Sequence, residues 1–188
     1  MSRPRTIPQR RRVFLGCEGE SEQSYGRLLA LLAEARERPV FIDAVVLQPG
    51  GGDPLAIVER AADALRRRAL RSGTYVARAV LLDADKRGLA PDRDARIDPL
   101  ARRSGLRLIW QEPCHEGLLL RHLEGCSDLR PPDAERALHE LRRRWPEYRK
   151  GLPALRLAEQ VDAAAVLRAA RMHEALAAFL GEIGLAPS

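Results

Sequence analysis

The stretch Val13-Phe-Leu-Gly-Cys-Glu-Gly-Glu-Ser-Glu22 decides the fold, because an apolar run changes there abruptly into three carboxylates around a glycine. A second run, Ala79-Val-Leu-Leu-Asp-Ala-Asp85, ends in the same way. Short apolar runs of this kind are typical of buried strands. Two such strands that finish in acid predict one charged site, and clustered carboxylates in a basic protein suit a metal cation.

Composition indicates one ordinary domain with a core of aliphatic side chains. The chain has 188 residues, of which 45% are hydrophobic and 4% aromatic, so it is long enough to build a single core. No run approaches the roughly 20 apolar residues that span a bilayer, and no secretory segment follows the basic N-terminus. We therefore expect a cytoplasmic protein. Cys17, Cys114 and Cys126 form no CxxC pair, which argues against disulfides and structural zinc and favours buried thiols.

The charge balance favours a polyanionic partner. The formal net charge is +6, which suits nucleic acid. Lys86 and Lys150 are the only lysines in an arginine-rich chain, so each is a candidate for a role that arginine cannot fill. Residues 1–10 indicate a basic flexible arm. The arginine-rich runs Arg66–Arg68 and Arg142–Arg144 could track a phosphate backbone, although each alone is typical of a solvated helix face.

The order of the predicted elements favours an α/β domain with a mostly parallel four-stranded sheet flanked by helices. Strands are predicted at Arg11–Cys17, Val40–Leu47, Tyr75–Asp83 and Leu106–Gln111. Helices are predicted at Glu22–Glu37, Pro54–Arg71, Asp92–Ser104, His115–Leu123, Pro132–Arg144 and Pro153–Leu180, the first capped by Ser21 and the last broken near Met172. The domain spans residues 11–152, and residues 153–188 are a helical extension expected to pack on it. Pro49-Gly-Gly-Gly-Asp53 indicates a flexible turn, because neither GxGxxG nor GxxxxGK[ST] is present.

Acidic residues follow the predicted strands at their carboxyl ends, where sites form in parallel sheets. Asp83 and Asp85 are two apart, so an extended backbone would place them on one side. A hard divalent cation, Mg²⁺ or Mn²⁺, would relieve their repulsion. Glu18 follows the first strand, Glu22 can point back from the next helical turn, and Glu116 opens a helix after the fourth strand. A DxD is also common in solvated turns, and a glutamate in a first helical turn also suits the helix dipole.

Histidine spacing gives no metal-binding pattern, because no HxxxH or HExxH pairing is present. The four histidines are therefore expected as surface or hydrogen-bonded structural residues: His115, His122, His139 and His173.

Four motifs lie along the chain: Cys17-Glu-Gly-Glu-Ser-Glu22 followed by Tyr25, Leu82-Asp-Ala-Asp85, Pro113-Cys-His-Glu-Gly-Leu-Leu-Leu-Arg-His122 and Tyr148-Arg-Lys150. In order and spacing they resemble the RloB-like proteins, compact relatives of the Toprim domain of topoisomerases, primases and OLD-type nucleases. The resemblance covers roughly residues 11–152. It departs at His115, where the family has phenylalanine, at Glu112, where asparagine is usual, and after Glu116, where the usual tryptophan is absent.

The resemblance implies a Toprim-like fold and Mg²⁺-dependent phosphodiester chemistry. It implies that Glu18 is the Toprim glutamate, that Asp83 and Asp85 form the DxD pair, and that Glu22 is the OLD-type second glutamate. Glu116 keeps the family's glutamate in its motif. RloB-like proteins look like components of bacterial defence or restriction-linked loci, often beside an AAA- or ABC-type ATPase. Nucleic acid, with DNA favoured over RNA, and such an ATPase are therefore the expected partners.

The leading hypothesis is a metal-dependent nuclease. Metal ions held by these five carboxylates would bind the scissile phosphate and lower the pKa of a bound water. Glu18 and Lys150 are the expected catalytic residues; Lys150 could neutralise charge on the transition state, although an exposed lysine in a polar loop is equally typical. A second hypothesis is a non-catalytic module that binds nucleic acid or an ATPase partner. A third, a phosphatase with an aspartyl nucleophile, lacks the DxDx[TV] context.

Overall fold

Four strands form one all-parallel sheet in the order β2-β1-β3-β4. The computed structural model describes residues 10–47 and 52–186, so most of the predicted basic arm and of the glycine-rich turn lies outside the described residues. The strands are β1 (Arg11–Cys17), β2 (Val40–Val46), β3 (Ala77–Asp83) and β4 (Arg107–Gln111). The predicted α/β class with a parallel four-stranded sheet is confirmed.

Eight helices surround the sheet within the described ranges. They are α1 (Glu20–Ala35), α2 (Pro54–Ser72), α3 (Pro91–Ser104), α4 (His115–His122), α5 (Ala134–Arg144), α6 (Ala154–Leu157), α7 (Ala163–Ala170) and α8 (Glu174–Glu182). None of the helices in these ranges is long and apolar enough to cross a membrane.

The buried residues of the central strands, 13–17 in β1 and 79–82 in β3, are apolar because helices cover both faces of the sheet. Along β1, Val13 and Leu15 belong to a core shared with α1, α4 and the C-terminal helices, whereas Phe14 belongs to a second core shared with α2 and α3. Each such fully buried side chain contributes about 2 kcal/mol. Helix α1 lies so close to the sheet that a Cβ on Gly26 would stand 2.9 Å from Leu15 and from Ala44. This close approach fixes the start of α1 over the carboxyl edge of the sheet.

Helix α1 begins two residues earlier than predicted, and Ser21 is not its cap. Gly19 occupies the N-cap position, and its N–H donates to Glu22 Oε2 at 3.0 Å. The Ser21 hydroxyl instead accepts a hydrogen bond from the Gly151 N–H at 2.9 Å. The side chain of Ser21, which the local sequence pattern predicts as a helix cap, therefore forms a hydrogen bond with a residue far along the chain instead.

The C-terminal segment packs on the domain, as expected, but as three short helices. Helix α8 lies against β3 and β4, and α7 against α4. The predicted break near Met172 is confirmed, and a second break comes before α7, where Asp162 accepts a hydrogen bond from the Ala165 N–H at 2.7 Å. Leu157, Val161 and Ala165 are buried. Ala164 is exposed, because the helical phase restarts at the N-cap residue Asp162.

Candidate functional site

Five carboxylates line one pocket of about 430 Å³ at the carboxyl edge of the sheet: the exposed Glu20 and four less exposed groups, Glu18, Glu22, Asp83 and Glu116. Strands β1 and β3 are hydrogen-bonded neighbours, so Glu18, which follows β1, lies beside Asp83, the last residue of β3. Helix α1 contributes Glu22 from its first turn, and α4 contributes Glu116 from its first turn. We call this cavity the acidic pocket. His115 and Lys150 complete its charged lining.

Asp83 is the carboxylate of the acidic pocket whose ionised form the surrounding protein groups favour least. Its Oδ1 is buried and has no hydrogen-bond partner. Burial, followed by the negative charges of Glu22 and Glu18, raises the pKa of Asp83 to about 8. A cation beside this carboxyl would reverse both effects, because positive charge stabilises the ionised form.

Glu18 and Glu22 are each held by a backbone N–H group. The Asp83 N–H donates to Glu18 Oε2 over a long 3.4 Å, and burial raises the pKa of Glu18. Glu22 is buried and its Oε2 accepts from Gly19. Each contact holds one carboxylate oxygen in place.

Glu116 has the most hydrogen-bond and ion-pair partners of the four carboxylates. The Tyr148 hydroxyl donates to its Oε1 at 3.2 Å, and the Cys114 thiol donates to its Oε2 at 3.2 Å. Lys150 Nζ lies 3.5 Å from Oε1. Burial alone would raise the pKa of Glu116, but the Cys114 hydrogen bond and the Lys150 charge together lower it. Glu116 is therefore a fixed anion, whereas the exposed Lys150 can reach into the pocket.

His115 is buried in the wall of the acidic pocket and is only half satisfied. Its Nδ1 lies 2.7 Å from Gln111 Nε2, the side chain that ends β4. With the amide nitrogen as donor, the neutral ring carries its proton on Nε2. That Nε2 is buried and has no hydrogen-bond partner, and burial lowers the pKa of the ring. The ring thus offers a polar atom that the described protein groups do not use.

His122 lies at the other end of α4 and is fully satisfied. Its Nδ1 lies 2.8 Å from the Leu118 carbonyl, which can only accept, so Nδ1 carries the proton. Its Nε2 therefore accepts from the Tyr25 hydroxyl at 3.0 Å. The expectation of a hydrogen-bonded structural histidine is confirmed for His122, but for His115 it was wrong, because one nitrogen of that buried ring has no partner.

Asp85 is the one predicted ligand that does not line the acidic pocket. Strand β3 ends at Asp83, and Asp85 lies in the following turn with an exposed side chain. Its N–H donates to the Pro113 carbonyl at 2.9 Å. The expectation that the two aspartates share one side of a strand was therefore wrong. Asp85 still raises the pKa of both Glu18 and Asp83 through its charge, and its role as a ligand stays a prediction.

The case for a metal in this pocket rests on the chemistry of its donors and not on a preformed cage. Among residues 10–47 and 52–186, no three His, Cys, Asp or Glu side chains are grouped closely enough to hold a metal ion. The donors themselves fit Mg²⁺ or Mn²⁺, which prefer carboxylate oxygens. The buried Oδ1 of Asp83, which has no hydrogen-bond partner, is the atom that most needs such a cation.

Sequence reasoning missed three side chains that build the acidic pocket. Tyr148 and Cys114 hold Glu116, and Gln111 holds His115. Tyr148 carried a signal, since it stands two residues before a rare lysine in an otherwise polar segment. Gly117 also has a structural reason, because a Cβ there would lie 2.5 Å from the Glu112 carbonyl oxygen. A bulky residue at that position would push α4 away from the end of β4.

Comparison of the chain with protein-family models, with curated proteins and with solved structures found no match in any of the three. The family of the chain therefore stays a prediction from its motifs.

Proposed function

We propose that this protein is a Mg²⁺-dependent phosphodiesterase that cleaves nucleic acid, a Toprim-type nuclease of the RloB-like kind. The observation that carries the proposal is Asp83, a half-buried carboxyl among other acids, whose buried Oδ1 has no hydrogen-bond partner among the described residues. Such an arrangement costs folding free energy unless a cation compensates it. We further propose a bacterial cytoplasmic setting in defence or restriction, with DNA as substrate and an ATPase as partner.

The side chains of the acidic pocket divide the work of phosphodiester cleavage. A bound Mg²⁺ would supply Lewis acidity and a water of lowered pKa. Glu18 lies beside Asp83 at the strand ends and would accept a proton from the attacking water. Lys150 extends from the rim and can place its ammonium against a phosphate oxygen. His115 can donate from Nε2 to another phosphate oxygen, because its Nδ1 is already occupied by Gln111.

The test is metal binding and plasmid nicking by wild type, Asp83→Asn and Glu18→Gln. Each variant removes one ligand charge, so we expect nicking to fall on the order of 10²- to 10³-fold. Calorimetry should show weaker Mg²⁺ or Mn²⁺ binding in both. Asp83→Asn should not lower the melting temperature, because the carboxyl it replaces is desolvated among like charges.

A matched control is Asp128→Asn, which changes an exposed aspartate that does not line the acidic pocket. It should bind metal and nick plasmid like wild type. A wild-type protein that binds neither Mg²⁺ nor Mn²⁺, or an Asp83→Asn protein that nicks at the wild-type rate, would contradict the nuclease proposal.

A second candidate is a non-catalytic module that binds nucleic acid or an ATPase. Two observations favour it: no preformed metal cage occurs in the part of the chain that the structure describes, and His115 stands where the RloB-like motif has phenylalanine. This candidate predicts nucleic-acid binding that is unchanged by EDTA and by both substitutions, together with no nicking under any metal condition.

A further inference from the structure

A second charged cavity lies on the opposite face of the sheet from the acidic pocket. It has a volume of about 430 Å³ and runs between the edge strand β2 and helix α2. Among the described residues, no carboxylate lines it. We call it the arginine groove after the five side chains that supply its charge: Arg12, Arg60, Arg67, Arg68 and Arg71.

The sequence of α2 places four of these arginines on one stripe of the helix. Arg60, Arg67, Arg68 and Arg71 stand at positions i, i+7, i+8 and i+11, which share a helix face. The small Ala64 also lines the groove from this stripe. Arg66 falls outside the groove and pairs with Asp63 in its own helix. Arg66 is therefore neutralised within its own helix, whereas the four arginines of the stripe line the groove.

Protein anions neutralise little of the charge in the arginine groove. Arg67 and Arg71 are exposed and make no hydrogen bond or ion pair with any described residue. Arg68 and Arg12 share a single carboxylate, Asp43, at 3.1 and 3.8 Å. Like charges along one helix face destabilise that helix. The groove thus presents several cations whose natural counterpart is a repeating anion.

We propose that the arginine groove binds the sugar-phosphate backbone of a nucleic-acid substrate, an inference that rests on the proposed nuclease function. Arginine forks match phosphate oxygens in bidentate geometry. The stripe from Arg60 to Arg71 is about 16 Å long at 1.5 Å per residue. That length matches about five nucleotides of a stacked strand at 3.4 Å each. An acidic pocket repels a polyanion, so the substrate needs a cationic surface elsewhere to hold it.

The Arg60 end of the arginine groove lies toward the carboxyl edge of the sheet, the edge at which the acidic pocket lies. Arg60 donates to the Leu47 carbonyl at 3.2 Å. The Leu47 N–H donates in turn to the Cys17 carbonyl at 2.9 Å, and Cys17 directly precedes Glu18. A nucleic-acid strand that leaves the groove at its Arg60 end would therefore run toward the edge that carries the carboxylates.

The experiment measures binding alone, by fluorescence anisotropy in EDTA, with a labelled DNA strand of about 15 nucleotides, a length within the range that single-strand binding surfaces use. The double variant Arg67→Gln/Arg71→Gln should raise the Kd about tenfold or more at low salt, because it removes two phosphate contacts. The slope of log K against log salt should fall by about 1.4, at roughly 0.7 per contact. The matched control is Arg102→Gln/Arg103→Gln, which removes two exposed arginines from α3 and should change Kd less than about twofold.

Three results would overturn the arginine groove as a phosphate-binding surface. One is wild-type affinity in the groove variant; another is equal loss in the two double variants, which would indicate net charge alone. The third is displacement of the DNA by polyglutamate at equal charge, which would indicate an acidic protein as the occupant. Plasmid nicking by Asp83→Asn separates this proposal from the nuclease proposal. If Asp83→Asn nicks like wild type while the groove variant loses binding, the groove stands and the nuclease proposal falls.

Discussion

The two ends of helix α4 carry one buried histidine each, and the two rings have opposite surroundings. His122 at the carboxyl end has a partner at both nitrogens, namely the Leu118 carbonyl and the Tyr25 hydroxyl. His115 at the amino end has a partner only at Nδ1 and lines the acidic pocket. Tyr25 packs edge-on against both rings, with ring centroids 5.9 Å from His115 and 5.4 Å from His122.

This difference separates a buried histidine whose position the core explains from a buried histidine that has a polar atom left without a partner. Buried polar atoms are nearly always hydrogen-bonded, and one that is not costs free energy. His122 satisfies that rule, so its burial is explained by the core alone. His115 and Asp83 break the rule within one pocket, so a group from outside the protein has a place there. Burial by itself does not distinguish the two ends of α4; hydrogen-bond satisfaction does.

The largest expected effect comes from a substitution at the amino end of α4, which lines the acidic pocket. Glu116→Gln removes a buried anion from the acidic pocket and places an amide against the Cys114 and Tyr148 donors. Initial rates of plasmid nicking should fall on the order of 10²-fold. Glu112→Gln is the matched control, since it makes the same change four residues earlier on an exposed side chain. Nicking by Glu116→Gln at the control rate would remove this end of α4 from the catalytic site.

The second prediction concerns the pH dependence of folding at the carboxyl end of α4. Burial lowers the pKa of His122 to about 4, whereas an unfolded histidine titrates near about 6.5. Between these values the unfolded chain binds more protons, so the free energy of unfolding decreases as the pH falls through that window. The contribution from His122 should amount to about 3 kcal/mol between pH 7 and pH 4.

Urea unfolding of wild type and His122→Phe across that range isolates the contribution, because every other titrating group is common to both. The variant should lose stability less steeply on acidification. Parallel curves for the two proteins would show that His122 is not the buried neutral base described above.

The smallest effect is a difference between identical substitutions at the two ends. His122→Phe removes two hydrogen bonds and leaves the Tyr25 hydroxyl without its acceptor, which should cost about 2 kcal/mol of unfolding free energy at pH 7. His115→Phe removes only the Gln111 contact and should cost about 1 kcal/mol or less. Chemical denaturation at one pH measures both. Equal losses would erase the distinction drawn between the two histidines.

Sequence predicts those parts of this fold that depend on continuous apolar runs. Strand β1 has its predicted bounds, Arg11–Cys17, because a central strand is buried on both faces and reads as one run. Tyr75 was wrongly placed in the third strand. Its hydroxyl instead donates to Asp43 Oδ2 at 2.6 Å, a partner 32 residues away. A local pattern cannot distinguish a strand residue from an aromatic side chain used in a distant hydrogen bond.

The candidate site divides in the same way. Glu18, Glu22, Asp83 and Glu116 could be placed together because parallel strands end at one edge of the sheet. Asp85 could not, since β3 ends where the Ala84 N–H lies 3.0 Å from the carbonyls of both Gln111 and Pro113. These hydrogen bonds of Ala84 mark the point at which the chain turns away from the edge of the sheet. The Nε2 of His115, which has no hydrogen-bond partner among the described residues, likewise follows from the position of α4 in the fold. Residue spacing along the sequence does not predict that position.

The acidic pocket draws its side chains from points spread along most of the chain. Glu18 and Asp83 are 65 residues apart, and Glu116 and Lys150 come later still. Domains begin to fold while the ribosome is still extending them. A nascent chain in which only β1, α1 and β2 have left the ribosome therefore contains Glu18, Glu20 and Glu22 but neither Asp83 nor Glu116. Under the proposed nuclease function, this order of emergence would keep an incomplete chain inactive beside the messenger and ribosomal RNA that surround it during synthesis.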